Sequence, residues 1–162
     1  MGDCMNIEIS AGLLNTALKT LKPVVGRSLT IPILAAVKFA GGRLTVTDLD
    51  RELSVSVAAL EFSGEGCLPF APLMRLVAAL SRSYAEGRHN DDSLTIRIGE
   101  GGRVAELVSR FGRYRLPVFS PSDFPHLEMP ADAARVAIDG DRFARALAFA
   151  APFASRDRKS VV

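Results

Sequence analysis

The sequence predicts an α+β domain, and three observations carry the prediction. A strand-helix-strand-strand-strand order of hydrophobic patterns occurs twice in succession, glycine-containing turns join strands at hairpin spacing, and each helical pattern is apolar on one face only. Two helices packed on one face of largely antiparallel strands satisfy all three. Composition permits a packed domain: of 162 residues 48% are hydrophobic and 23% charged, and 20 Lys and Arg against 18 Asp and Glu leave a formal net charge of +2. Apolar runs are interrupted before the roughly 18 residues of a membrane span, so no integral membrane protein is expected. The opening MGDCMNIEIS holds Asp3 and no basic or apolar signal region, and Asn6 stands where a myristoylation motif wants Ser or Thr. Cys4 and Cys67 make neither a disulfide framework nor a metal knuckle, which points to a reducing, cytoplasmic setting.

Taken in order, Ile7 and Ile9 alternate with polar neighbours as in a short strand, and Leu14, Ala17, Leu18 and Leu21 recur at helical spacing until Pro23. Ile33, Ala35, Val37 and Phe39 alternate next, and Gly41-Gly42 reverses the chain into Leu44 and Val46, the spacing of a two-residue hairpin. After a turn at Asp48, Leu53, Val55 and Val57 share one strand face and Ser54 and Ser56 the other. The order restarts with an apolar segment from Cys67 to Phe70, then Pro72 in a helical first turn. Leu73, Leu76, Val77 and Leu80 form that helix's buried stripe, and a polar loop from Tyr84 to Asp92 ends it. Three strands follow: Leu94/Ile96/Ile98, Val104 to Val108 across a Gly101-Gly102 turn, and Tyr114/Leu116/Val118.

Four prolines between Pro117 and Pro130 make a stiff connector. Beyond it, a shift of 129 residues places Ile7 on Val136, Ile9 on Ile138, Leu14 on Phe143, Leu18 on Leu147, Pro23 on Pro152 and Arg27 on Arg156, an internal repeat at domain scale. The expected organisation is a first domain over 1–120, a proline-rich linker over 121–133 and, over 134–162, the orphan strand and helix that begin a second domain.

Little in the sequence suits catalysis. His89 lies in a polar loop and His126 in the connector, and no nucleophile elbow or GxxxxGK[ST] loop is present. Asp48 and Asp50 in TDLD lack further ligands and read as turn formers rather than a metal pair. Gly99 to Gly102 lies between strands and reads as a hairpin. No enzyme and no cofactor are expected. The basic residues are better placed. The apolar stripe of the first helix leaves Asn15, Lys19 and Lys22 on its opposite face, and that of the second leaves Arg75 and Arg82, with no acid on either stripe. From charge alone such a surface is either an ordinary solvated face or one suited to phosphates and indifferent to base sequence. Arg27, just past the first helix, recurs as Arg156. On the last strand Arg113 and Arg115 alternate with Tyr114 and Leu116 before Pro117, which confines the strand to an edge or an end. Its Tyr114/Leu116 face is either core lining or a surface for another chain.

The IPIL segment (Ile31 to Leu34) after a basic loop, TDLD (Thr47 to Asp50) after a hairpin, SDFP (Ser122 to Pro125) in the connector, and the restart of strand and helix afterwards resemble one family. It is the bacterial sliding clamp, the beta subunit of the replicative DNA polymerase, and the likeness extends over nearly the whole chain as first domain plus the start of the second. It implies the DNA-clamp fold and a non-enzymatic processivity factor that, when complete, closes as a head-to-tail homodimer ring around double-stranded DNA and serves the replicative polymerase and its clamp loader. It further implies that Lys19, Lys22, Arg75 and Arg82 face the duplex, that Arg27 touches phosphates, with Arg156 its repeat counterpart, and that the edge carrying Arg113, Tyr114 and Leu116 meets another subunit. Among the features that depart from the family, Ala71-Pro72 opens the second helix where members often carry a basic pair, and residues 1 to 4 precede the usual start. The chain is expected to be a fragment or truncated form. The rival is an autonomous small protein that binds an intact clamp or clamp loader through the Tyr114 edge without encircling DNA.

Overall fold

The computed structural model describes residues 5–25, 31–57, 64–87, 91–99, 102–127 and 136–154. The first half-repeat runs β1 (Met5–Ser10), α1 (Ala11–Leu21), β2 (Ala36–Ala40), β3 (Arg43–Thr47) and β4 (Glu52–Ser56). The second runs β5 (Glu65–Pro69), α2 (Phe70–Glu86), β6 (Ser93–Ile98), β7 (Val104–Ser109) and β8 (Gly112–Pro117), and α3 (Gly140–Ala150) follows. Gly41 and Gly42 take φ of 53° and 73°, the pair of left-handed residues that a two-residue hairpin demands between β2 and β3.

All strand pairings are antiparallel, and each half-repeat lends its first strand to the other. The sheets have the orders β1-β6-β7-β8 and β4-β3-β2-β5. Ile7 lies opposite Ile96 and Ile9 opposite Leu94 in one, and Val37 opposite Leu68 in the other. The exchange ties the halves together, because neither sheet keeps its order without a strand from the other half. One continuous core draws on both helices and both sheets: Leu14, Leu18, Leu21, Phe39, Leu44, Leu68, Leu73, Leu94, Ile96 and Leu107 are fully buried. Beyond β8, the Phe119 N–H donates to the Cys67 carbonyl at 2.9 Å, bridging from the end of one sheet to the edge of the other.

The halves also cap one another. Ser10 Oγ accepts from the Leu13 N–H at 3.2 Å at the start of α1, and Asp92, from the second half, reinforces it. Asp92 Oδ2 accepts from Ser10 Oγ at 2.5 Å and from the Gly12 N–H at 3.1 Å, while its carbonyl accepts from the Ala11 N–H at 2.9 Å. The carboxylate thus satisfies donors that a helix start leaves unpaired. Asp92→Ala is expected to cost about 1–3 kcal/mol, seen as a lower urea midpoint at unchanged m-value; an unshifted midpoint would show that water replaces the cap.

Three boundaries differ from the sequence reading. Pro32–Ala35 forms a 3-10 turn, so the second strand begins at Ala36 and not at Ile33. The second helix begins at Phe70, with Pro72 in its first turn, where helical N–H groups lack acceptors anyway. It also runs through Tyr84, expected in a polar loop: the ring is buried and its hydroxyl donates to the Ser93 carbonyl at 3.1 Å, an apolar body with a satisfied polar tip. In the proline-rich stretch, Pro121–Asp123 makes a 3-10 turn and Phe124 is buried with Ala36 and Cys67.

Two units divide the chain, Met1–Leu127 and Glu128–Val162. In the second, Asp139 caps α3 by accepting from the Arg142 N–H at 3.0 Å, and a 3-10 turn at Ala151–Phe153 follows. Ser10, Leu13 and the 3-10 turn Lys22–Val24 stand 129 positions earlier in the same roles (139 less 10, 142 less 13, 151 less 22). The strand expected at Val136 and Ile138 does not form over residues 136–139, and the burial differs: Ile7, Leu14 and Leu18 are closed off, whereas Val136, Phe143 and Leu147 are 79%, 49% and 53% exposed. None of the eleven residues of this helix is buried among the described residues, and a helix of that length is marginal on its own. Amides of α3 are therefore expected to exchange with solvent well before those of α2 in hydrogen-exchange mass spectrometry; equal protection would refute this.

Candidate nucleic-acid interface

The apolar spacing of α1 turns Ala11, Leu14, Ala17, Leu18 and Leu21 into the core, which leaves Lys19 exposed in the last turn and Lys22 exposed just past it. On α2 the buried set is Phe70, Leu73, Val77, Leu80 and Tyr84, and Arg75 and Arg82, seven residues apart, stand exposed on one stripe. The helices pack against each other, and the structure brings Lys22 and Arg75 together on the wall of one groove. Among the described residues none of these four cations has an ion pair, so their charge is directed to solvent. Neither helix carries an acid in its first turn, and the first acid on α2 is Glu86 at its far end.

Asn15, expected beside the lysines on the solvent face, is half-buried instead, and its Oδ1 is enclosed without a hydrogen-bond partner among the described residues. The groove itself was not read from the sequence, although the small residues Ala71 and Ala78 flanking Arg75 at helical spacing are the signal that could have located it. Arg27 and Arg156 lie outside the described residues, as does His89.

Among the described residues, strand β8 is an edge strand that pairs only with β7. Tyr114 and Leu116 are half-buried and pack on the core, while Arg113 and Arg115 are exposed on the opposite face. Core lining therefore accounts for part of the Tyr114/Leu116 surface, and no strand among the described residues pairs with the outer edge.

The remaining chemical candidates are committed elsewhere. Asp48 holds the TDLD turn: Oδ1 accepts from the N–H groups of Asp50 and Arg51, and Oδ2 pairs with the Arg51 guanidinium at 2.5 Å. That hydrogen bond holds the Asp48 carboxyl below its ordinary range. The turn sets Leu49 at φ 77°, with its N–H donating to Thr47 Oγ1 at 3.2 Å. Cys67 is buried, which pushes its thiol up to about 12, so it is not a thiolate at neutral pH. His126 has partners on two strands: Lys38 Nζ donates to its Nε2 at 3.2 Å, and Nδ1 lies 3.6 Å from Glu52 Oε2, which also accepts from the Leu127 N–H. Lys38 in turn pairs with Glu65 at 3.0 Å, so the chain after Phe124 is fastened to β2 and β4. Among the described residues no three His, Cys, Asp or Glu side chains converge to hold a metal, and no helix is long and apolar enough to cross a membrane.

No protein-family model matches the chain. The beta sliding clamp of Caulobacter vibrioides is 30% identical to it over 148 residues, covering 87% of this chain and 37% of that protein. Among solved structures, the DNA polymerase sliding clamp of Caulobacter crescentus is similar at 26% identity with a TM-score of 0.68, over 89% of this chain and 38% of that one. A sliding clamp of Pseudomonas aeruginosa bound to griselimycin is similar at 28% identity and a TM-score of 0.65, over 81% of this chain and 35% of that one. The beta chain of DNA polymerase III from Streptococcus pneumoniae, at 18% identity, shares the fold, with a TM-score of 0.74 over 98% of this chain and 42% of that one. The chain thus spans little more than a third of the length of the curated relatives it matches. Its resemblance to bacterial sliding clamps is carried by sequence and fold together.

Proposed function

We propose, from this likeness to sliding clamps in sequence and fold, that the chain is the first domain and the start of the second of a clamp subunit, a non-catalytic processivity factor of the replicative DNA polymerase. In its complete form two subunits close around duplex DNA in the cytoplasm and hold the polymerase to it, with a loader to place the ring. Residues 1–120 then make the first domain, 121–133 its link and 134–162 the opening of the next. Lys19, Lys22, Arg75 and Arg82 contact phosphates, as do Arg27 and its counterpart Arg156, and the β8 edge with Arg113, Tyr114 and Leu116 meets a second subunit.

One observation supports the DNA side of this reading above the rest: two adjacent helices present four exposed cations that have no ion-pair partner among the described residues, with Lys22 and Arg75 on one groove. A sliding contact should be electrostatic and blind to base identity, and such a surface has cations for phosphates and no array of groups for base edges. Duplex binding by the chain is therefore expected to be weak and equal for unrelated sequences, with log K falling against log salt at a slope of about −3 to −4.5 for three to five phosphates engaged. Titrating two unrelated labelled duplexes at several salt concentrations tests this. A marked preference for one sequence, or a flat salt response, overturns it.

A further inference from the structure

The groove between the end of α1 and the start of α2 is an open cavity of about 600 Å3, a volume in the range that accepts small organic ligands. Its lining divides by chemistry. Phe70 is buried, Val25, Met74 and Ala78 are half-buried walls, and the cations Lys22 and Arg75 are exposed; among the described residues no carboxylate lines it. Two features set it apart from an ordinary solvated hollow. Its apolar wall includes alanines at 35, 71 and 78, positions where longer side chains would occupy the space. Its two positive charges have no ion-pair partner among the described residues, and apolar surface beside them lowers the local dielectric, so an anion placed there is held more strongly than at an open surface. The cavity also lies at the first turn of α2, a seventeen-residue helix whose dipole favours negative charge at that end.

We propose that this cavity binds a small aromatic phosphate, its ring system against Phe70 and Met74 and its phosphate between Lys22 and Arg75. Charge complementarity selects the anion: two unpaired cations match a dianion. Met74 selects the ring, since a thioether makes favourable contacts with aromatic edges. The site shares two cations with the proposed duplex surface but does not depend on that reading, and its occupant is expected to compete with DNA.

The test uses the whole chain and three probes: 1-naphthyl phosphate, 1-naphthol and inorganic phosphate. NMR titration should show 1-naphthyl phosphate shifting the methyl signals of Met74, Ala71 and Ala78, with either half-probe binding at least about tenfold more weakly. Arg75→Gln should weaken the intact probe about fivefold or more. Ala78→Leu, which keeps all four cations and a favourable helix residue, should abolish probe binding while duplex affinity stays within about twofold; Ala71→Leu repeats the test should the first variant lose its native spectrum. Equal binding of 1-naphthol, shifts confined to Phe143 and Phe149, no binding, or unchanged binding by both leucine variants overturns the proposal. Loss of duplex binding with probe binding intact overturns only the duplex reading.

Discussion

Replacing Gly66 with valine is expected to cost about 3 kcal/mol or more, over half the stability of a domain at the low end of the usual range. Gly66 sits in β5 opposite Phe39, buried, and it faces Ile98 and Met5 of the other sheet. A Cβ there would run into Ile98 Cδ1 of β6 and would lie within 3.7 Å of Met5 Sδ and Cε on β1. Its φ is not in the left-handed region, so any side chain fits the backbone and the penalty is purely one of space. Ile98 and Met5 are 5% and 1% exposed, with no solvent to yield into. Gly66→Ala should therefore cost about 1–3 kcal/mol, and removing the one clashing carbon with Ile98→Val should recover part of that loss. A double-mutant cycle on urea midpoints reads the coupling. Additive effects, or a Gly66→Ala protein as stable as the parent, would show that the sheets are less tightly apposed than this.

That contact marks where sequence reasoning stops. Alternation assigned Ile7, Phe39, Val55 and Ile96 to inward faces, because a buried face must repeat every two residues whatever lies across from it. Gly41-Gly42 announced its hairpin through a backbone requirement that few other residue pairs meet. Neither signal names a partner. β1 and β5 carry the same pattern whether they pair within their own half or across, so the exchange that puts Ile7 opposite Ile96 was invisible, and with it the role of Asp92 as a cap on the other half's helix. Tyr84 was misplaced for a related reason: a polar tip made the residue look like loop, while its ring was needed for the core and its hydroxyl had a carbonyl to reach. At the candidate surface, Lys19, Lys22, Arg75 and Arg82 were legible because a helix with a filled apolar stripe must send its other residues outward. The cavity between them was not, since it arises from the meeting of two helices whose relative placement no local pattern specifies.

Changing Lys19, Lys22, Arg75 and Arg82 together to glutamine is expected to remove most of the salt dependence of duplex binding. Each phosphate contact contributes about 0.9 to the slope of log K against log salt, so losing four should flatten it by about 3.6. By the same relation the parent chain should weaken on the order of a hundredfold between 50 and 200 mM salt while the variant changes little, and the two should differ most at the lower concentration. Stability should barely move, because all four side chains are exposed, lack ion-pair partners among the described residues and stand on stripes opposite the core. Neutralising Arg113 and Arg115 removes two exposed cations from β8, on the outer face of a sheet and not on the helices, and should leave the slope nearly unchanged. The pair of variants separates a directed surface from general attraction by net charge, which is only +2 and would respond to both. Fluorescence anisotropy with one labelled duplex across a salt series decides between them: equal flattening by the two variants would mean that the helix faces have no special part in holding DNA.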